Sequence, residues 1–259
     1  MAPPLDFLAH LRANSARFRD VLSAVDPTSE VPSCPGWDAA ELLWHLSEVQ
    51  DFWAAIVRDR LDHPEHADKR SRATDYEAQL AQFDACSASL IDALAAAPDD
   101  AAIWTWFPAD QTVGFVRRRQ AHEALIHRLD AELTAGAVTD FDPALATDGV
   151  LEVLEIMYSE VPPWANHQLA GPIGRVSTTD TGAEWLIRIG HWSGHSPDTG
   201  KTYEAEPTFG LASAGEPSFT ISGTARDLDA WLWNRPTVTD VTREGDTSAF
   251  QAVIQDGIQ

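Results

Sequence analysis

VPSCPGWDAAELLWHLSEVQDFWAAIVRD, residues 31–59, is the stretch whose reading decides the fold. The prolines and glycine of PTSEVPSCPGWD (27–38) mark a loop, and Asp38 or a neighbour is placed to cap the next helix. From Ala39 to Asp59 the apolar residues Leu42, Leu46, Val49, Phe52, Trp53 and Ile56 recur at helical spacing. An amphipathic helix of this length must bury its apolar face, and the sequence on either side supplies other helices. Leu5, Leu8, Leu11 and Phe18 predict one over residues 4–23. An alanine-rich segment predicts another over 74–97, ended by the Pro98-Asp99-Asp100 turn, with HPEHADKRSR as an exposed connection before it. A fourth covers about 116–134 and stops at Gly136, and a fifth covers 143–158. Four or five helices joined by moderate loops make an antiparallel bundle, an architecture that builds metal sites between facing helices. AAIWTWFPADQTVG (101–114) is an irregular aromatic stretch, and connections of that length in compact domains commonly cover or form a site.

The texture changes after VPPWANHQLAGPIG. RVSTTD, EWLIRIG, KTYEAEPTFG and PSFTISGTA read as short strands, ARDLDAWLWNR as a helix, and TDVTRE and AFQAVIQ as two weaker strands. The expected fold class is therefore α+β, with a helical domain over 1–165 and a small α+β domain over 166–259, divided between about Pro162 and Pro172.

Bulk properties narrow the function. With 44% hydrophobic residues and ten tryptophans the chain can build a core. A net charge of −22 opposes binding to a phosphate backbone or an anionic membrane surface. No apolar run is long enough to span a bilayer, and the N-terminus lacks a basic start followed by an apolar run, so a cytoplasmic location is expected. The arginines cluster once, at Arg117, Arg118 and Arg119, as a local basic patch. Two cysteines, Cys34 and Cys86, imply no disulfide framework and cannot make a cysteine zinc site, so any zinc must use histidine and carboxylate.

Histidines and one acid in the helical half carry the candidate chemistry. In AHEALIHRLDAE, His122 and His127 are five apart, which puts them about 140° apart around a helix, unlike the four-residue spacing of a zinc-protease motif. Glu123 and His127 are four apart and share a face, with Asp130 three further on, placed to accept the other ring N–H of a metal-bound histidine. His45 lies on or beside the apolar face of its own helix. Two histidines and a carboxylate suit zinc and leave a fourth position open, as in a catalytic site. Spacing alone equally fits a His45 bonded to a carboxylate or carbonyl, and a Glu123–His127 surface pair worth a few tenths of a kcal/mol. His191 and His195, and His63 and His66, read as exposed histidines. Cys34 reads as a turn residue and Trp37 as core. Trp104, Trp106 and Phe107 are candidates to line a substrate or cofactor cleft.

VPSCPGWDAAELLWHL (31–46) and RRRQAHEALIHRLDAE (117–132) resemble the two signatures of the mycothiol-dependent maleylpyruvate isomerase N-terminal domain, a branch of the DinB-like helical bundles. SFTISGTARDLDAWLWNR (218–235) resembles that family's C-terminal domain, where a tryptophan-rich helix ends at an arginine. The resemblance implies a DinB-like bundle holding a divalent metal, usually zinc, through His45, Glu123 and His127. It implies mycothiol, the actinobacterial thiol, as co-substrate, and a catalytic role for Arg235. The family commonly has Gly-Arg at that last position, where this chain has Asn234-Arg235. The expected function is a metal-dependent, mycothiol-using S-transferase or cis–trans isomerase acting on a small electrophilic or unsaturated molecule. The alternatives are an enzyme using metal-bound water, such as a hydrolase, and a non-catalytic small-ligand-binding module.

Overall fold

A computed structural model describes residues 5–255. The chain forms two compact units, 1–140 and 141–259. The first is a bundle of four helices: α1 (Phe7–Leu22), α2 (Ala39–Asp59), α3 (Tyr76–Ala96) and α4 (Val113–Ala135). The expected first helix opened at residue 4, which lies outside the described residues. Every helix of the bundle starts on a side-chain cap: Asp6, Asp38, Asp75 and Thr112 each accept from a backbone N–H of the first turn. Asp38 makes the loop-to-helix boundary at Ala39 sharp, its carboxylate accepting from Glu41 N–H at 2.8 Å. Helix α4 stops at Gly136, whose φ of 65° closes the helix in the left-handed region that glycine tolerates.

Packing follows the apolar faces. α1 lies mainly on α4 and α2 mainly on α3, with α2 also against α4. Phe18, Leu22, Val31, Leu42, Leu43, Leu46 and Phe83 build one shared cluster, so the loop residue Val31 is tied into the core beside the start of α2. Trp104 N–H donates to Leu61 O just beyond the end of α2, and α4 starts nine residues later. The end of α2 and the start of α4 therefore sit together, and the two helices run antiparallel. No helix among the described residues is long and apolar enough to cross a membrane.

The second unit opens with α5 (Pro143–Glu152), which continues as one wide turn over Val153–Met157. This is the fifth helix expected from the sequence, and it packs on α6 (Ala225–Leu232) rather than completing the bundle. The reason is local: Gly149 of α5 lets the Asp229 side chain approach so closely that a Cβ would stand 2.5 Å from its Oδ2. The change of texture near residues 162–172 marks the passage from helix to sheet inside this unit. Six strands follow: β1 (Asn166–Gln168), β2 (Ile173–Thr178), β3 (Glu184–His195), β4 (Thr202–Ala212), β5 (Phe219–Gly223) and β6 (Thr242–Gly245). β3 pairs antiparallel with β4 on one side and with β1 and β2 on the other, β2 pairs parallel with β5, and β5 antiparallel with β6.

AFQAVIQ is not a strand. Residues Ser248–Ile254 form helix α7, with Phe250 and Ile254, one turn apart, buried on one side. Phe250 stacks between Phe209 and Trp231, so a three-ring contact fixes the segment as helix where its alternating β-branched pattern suggested otherwise.

Candidate metal centre

α2 and α4 bring His45, Glu123 and His127 together. One ligand atom from each lies within 4.8 Å of the others, the only such group of potential metal ligands among the described residues. His45 Nε2 is 3.5 Å from Glu123 Oε1, and His127 Nε2 is 3.2 Å from that same oxygen. Donors bonded to a tetrahedral zinc at about 2.0–2.2 Å stand about 3.3–3.6 Å from one another, so the two separations to Glu123 match one shared ion, while the full 4.8 Å span of the set requires the side chains to close on it. Exposure is graded across the set: the side chains of His45, Glu123 and His127 are 32%, 19% and 10% exposed. The open side of the centre is therefore the His45 side.

The supports of the three donors fix their orientation. His127 Nδ1 donates to Asp130 Oδ2 at 2.9 Å, which leaves Nε2 turned toward Glu123. Fully buried Asp130 is itself held by the loop before α2, where Ser33 Oγ donates to Oδ1 at 2.6 Å and the Cys34 thiol to Oδ2 at 3.6 Å. Arg119, one turn before Glu123 and only 4% exposed, donates to Glu123 Oε2 at 3.1 Å. Glu123 thus offers Oε1 to the centre while its other oxygen is occupied. Trp37 packs on the His45 ring at 4.9 Å, and the two imidazoles meet edge to face at 4.8 Å.

These contacts set the charges. Burial alone would disfavour the imidazolium of His127. The hydrogen bonds to Asp130 and Glu123, and the charges of both, outweigh it and lift the pKa from 6.5 to about 9. Burial likewise works against the Glu123 carboxylate. Hydrogen bonds from His127 and His45, with the charges of His127 and Arg119, hold it well below the ordinary carboxylate range. Without metal, a proton on His127 takes the place of the cation.

The other candidates fall elsewhere. The half-buried Trp104 stacks on Trp53 at 5.9 Å and meets Phe52 edge-on, while Trp106 meets Phe107 and Phe115. Trp53 is eight residues from His45 on α2, and Phe115 eight from Glu123 on α4. At 1.5 Å per residue both aromatic contacts lie about 12 Å along the helices from the donors, at the same end of the bundle. Arg235 belongs to the second unit, where it follows α6. Its N–H donates to Ala230 O at 2.8 Å and one guanidinium nitrogen to Trp233 O at 2.7 Å. His191 and His195 are exposed on β3, with His195 Nδ1 3.1 Å from Thr202 Oγ1, and His63 and His66 are exposed beside Glu65 and Asp62. Arg117–Arg119 is not a surface patch: Arg117 bonds Asp99 and the carbonyls of Leu94 and Ala97 at the end of α3, and Arg119 is buried on Glu123. Sequence reasoning missed Arg119, Ser33 and Cys34 as supports. The i,i+4 spacing of Arg119 and Glu123 was the available signal.

A family model described as the mycothiol maleylpyruvate isomerase N-terminal domain matches residues 8–132, and the C-terminal domain model of the same family matches 144–252. Among curated proteins none matches. Two solved structures resemble the chain. One is the crystal structure of the mycothiol-dependent maleylpyruvate isomerase, at 15% identity and a TM-score of 0.62, covering 93% of each chain. The other is a histidine-to-alanine mutant of that isomerase, at 14% identity, with the same TM-score and coverage. At such identity the likeness is one of fold.

Proposed function

The chain belongs to the mycothiol maleylpyruvate isomerase family, and from that premise we propose a metal-dependent enzyme that activates a thiol at the His45–Glu123–His127 centre. Mycothiol is the proposed co-substrate and a small electrophilic or unsaturated molecule the acceptor. The observation that carries this reading is the gathering of three donors within 4.8 Å of one another, with the partly exposed His45 at the open side. A zinc ion bound there supplies a Lewis acid able to keep a thiol of ordinary pKa, about 8.5, deprotonated at neutral pH.

The chain's own residues do the rest. Asp130 keeps the His127 proton on Nδ1 and so presents Nε2 as a donor. Arg119 restricts Glu123 to one oxygen, which leaves coordination room for sulfur. We assign Trp104 and Trp106 to an apolar wall for the bound thiol or its acceptor, and Arg235 to holding a carboxylate or enolate oxygen of the acceptor. The thiolate then either adds to an activated double bond and, after rotation about the bond made single, is expelled again with the double bond restored, as in isomerisation, or forms a carbon–sulfur bond as a leaving group departs with its electron pair, as in conjugation.

The test is metal content joined to thiol-dependent turnover. The purified chain should carry about one zinc, and with mycothiol present it should either isomerise an activated cis alkene, returning the thiol, or consume the thiol with an alkyl halide. His45→Ala, at a half-exposed position, should fold but lose both. A folded chain whose thiol-dependent turnover is unchanged when it is stripped of metal would overturn the reading.

A further inference from the structure

A second site lies beside α2, outside the three donors. Residues following α2 fold back along it: Arg70 donates to Asp51 at 2.7 Å, and Arg72 approaches Glu41 at 3.4 Å. Between this returning segment and the helix is a cavity of about 460 Å³, within the range of small-molecule sites. Its helix wall is Val49, Phe52 and Trp53, and Pro64 and Ala67 face it from the returning segment. The wall is rigid, because Trp53 stacks on Trp104 at 20° between planes and Phe52 stands edge-on to both.

The charges around this apolar cleft are unbalanced. Arg70 is spent on Asp51. What remains is Glu48, Glu65 and Asp68 against Lys69. Glu48 and Asp68 make no ion pair among the described residues, and both are exposed at the mouth. The apolar wall, where Phe52 is the partly exposed ring and Trp53 is buried, suits an apolar body, and the carboxylates without an ion pair beside it attract a cation. An anion would meet uncompensated like charge in a protein whose net charge is already −22.

We propose that this groove binds a small organic cation with an apolar body, of the arylalkylammonium class. The ring or alkyl body lies against Phe52, Trp53 and Pro64, and the ammonium faces Glu48 and Asp68. The site uses none of the metal ligands, so its occupancy does not require the metal.

Benzyltrimethylammonium, whose charge does not titrate, is the probe, with benzyl sulfonate as the anionic counterpart. The readout is the Trp53 indole N–H resonance of the isotopically labelled chain. A saturable shift is expected with the cation, at an affinity roughly tenfold or more above that for the sulfonate. The surface double variant Glu48→Gln/Asp68→Asn should weaken the cation roughly three- to tenfold, and Phe52→Leu should weaken it while keeping an apolar wall. Equal affinity for the two probes, affinity unchanged in both variants, or no saturable shift at Trp53 would each overturn the proposal.

Discussion

His127 is the residue on which the centre turns. Its pKa of about 9 lies above the 6.5 of a free imidazole. In the metal-free chain its charge therefore contributes stability that is complete below about pH 6.5 and disappears as pH rises through about 9. The depressed carboxyl of Glu123 has the opposite sign: its contribution is present above its ordinary pKa of 4.5 and is lost as pH falls. Because the metal must displace the His127 proton, affinity for zinc should climb close to tenfold per pH unit between about 7 and 9 and then level off. Chelator competition across that range measures the slope, and a flat profile would contradict the charge assignment. Asp130→Asn removes the carboxylate that raises this pKa. It should shift the profile to lower pH and weaken zinc roughly 10- to 100-fold. At this scale the sequence was legible only in part. The shared face of Glu123 and His127 follows from their i,i+4 spacing. The meeting of His45 with them does not follow from spacing, because it depends on how two helices far apart in sequence cross. The resemblance to a family pointed to it instead.

Among the elements, the clearest boundaries were those with a chemical stop or start. Asp38 fixed α2, Gly136 ended α4 and Pro143 opened α5, because caps and glycine act within a few residues. The allegiance of α5 was hidden, since a helix has the same apolar period whichever partner buries it. α7 was misread because seven residues are too few for period alone to separate helix from strand. The departure from the family pattern at the end of α6 also has an account at this scale. Asn234 has a φ of 58°, its N–H donates to Trp231 O and that of Arg235 to Ala230 O, a closed helix terminus that glycine or asparagine can make. Asn in place of Gly therefore keeps the backbone that positions Arg235. Asn234→Gly should leave thermal stability nearly unchanged. Asn234→Val should cost the second unit about 1–2 kcal/mol in denaturant unfolding, and equal stability of the two variants would refute this role for the turn.

For the molecule as a whole, composition governs stability and traffic more than chemistry. A net charge of −22 on 259 residues makes the folded state self-repelling, with much of the charge at the surface. Raising sodium chloride from about 20 mM to about 500 mM shortens the screening length from roughly 20 Å to under 5 Å, so the melting temperature should rise by several degrees. A melting temperature that falls with salt would show that specific ion pairs outweigh the general repulsion. The same acidity leaves a cation, whether a metal at the donors or an ammonium in the α2 groove, as the natural guest. The central claim is narrower: one ion, two imidazoles, one carboxylate and a place left for sulfur. X-ray absorption at the zinc edge tests it most directly. Zinc-loaded protein should show only nitrogen and oxygen neighbours at about 2.0–2.1 Å, and adding mycothiol should bring in one sulfur at about 2.3 Å. A first shell unchanged by the thiol would contradict it.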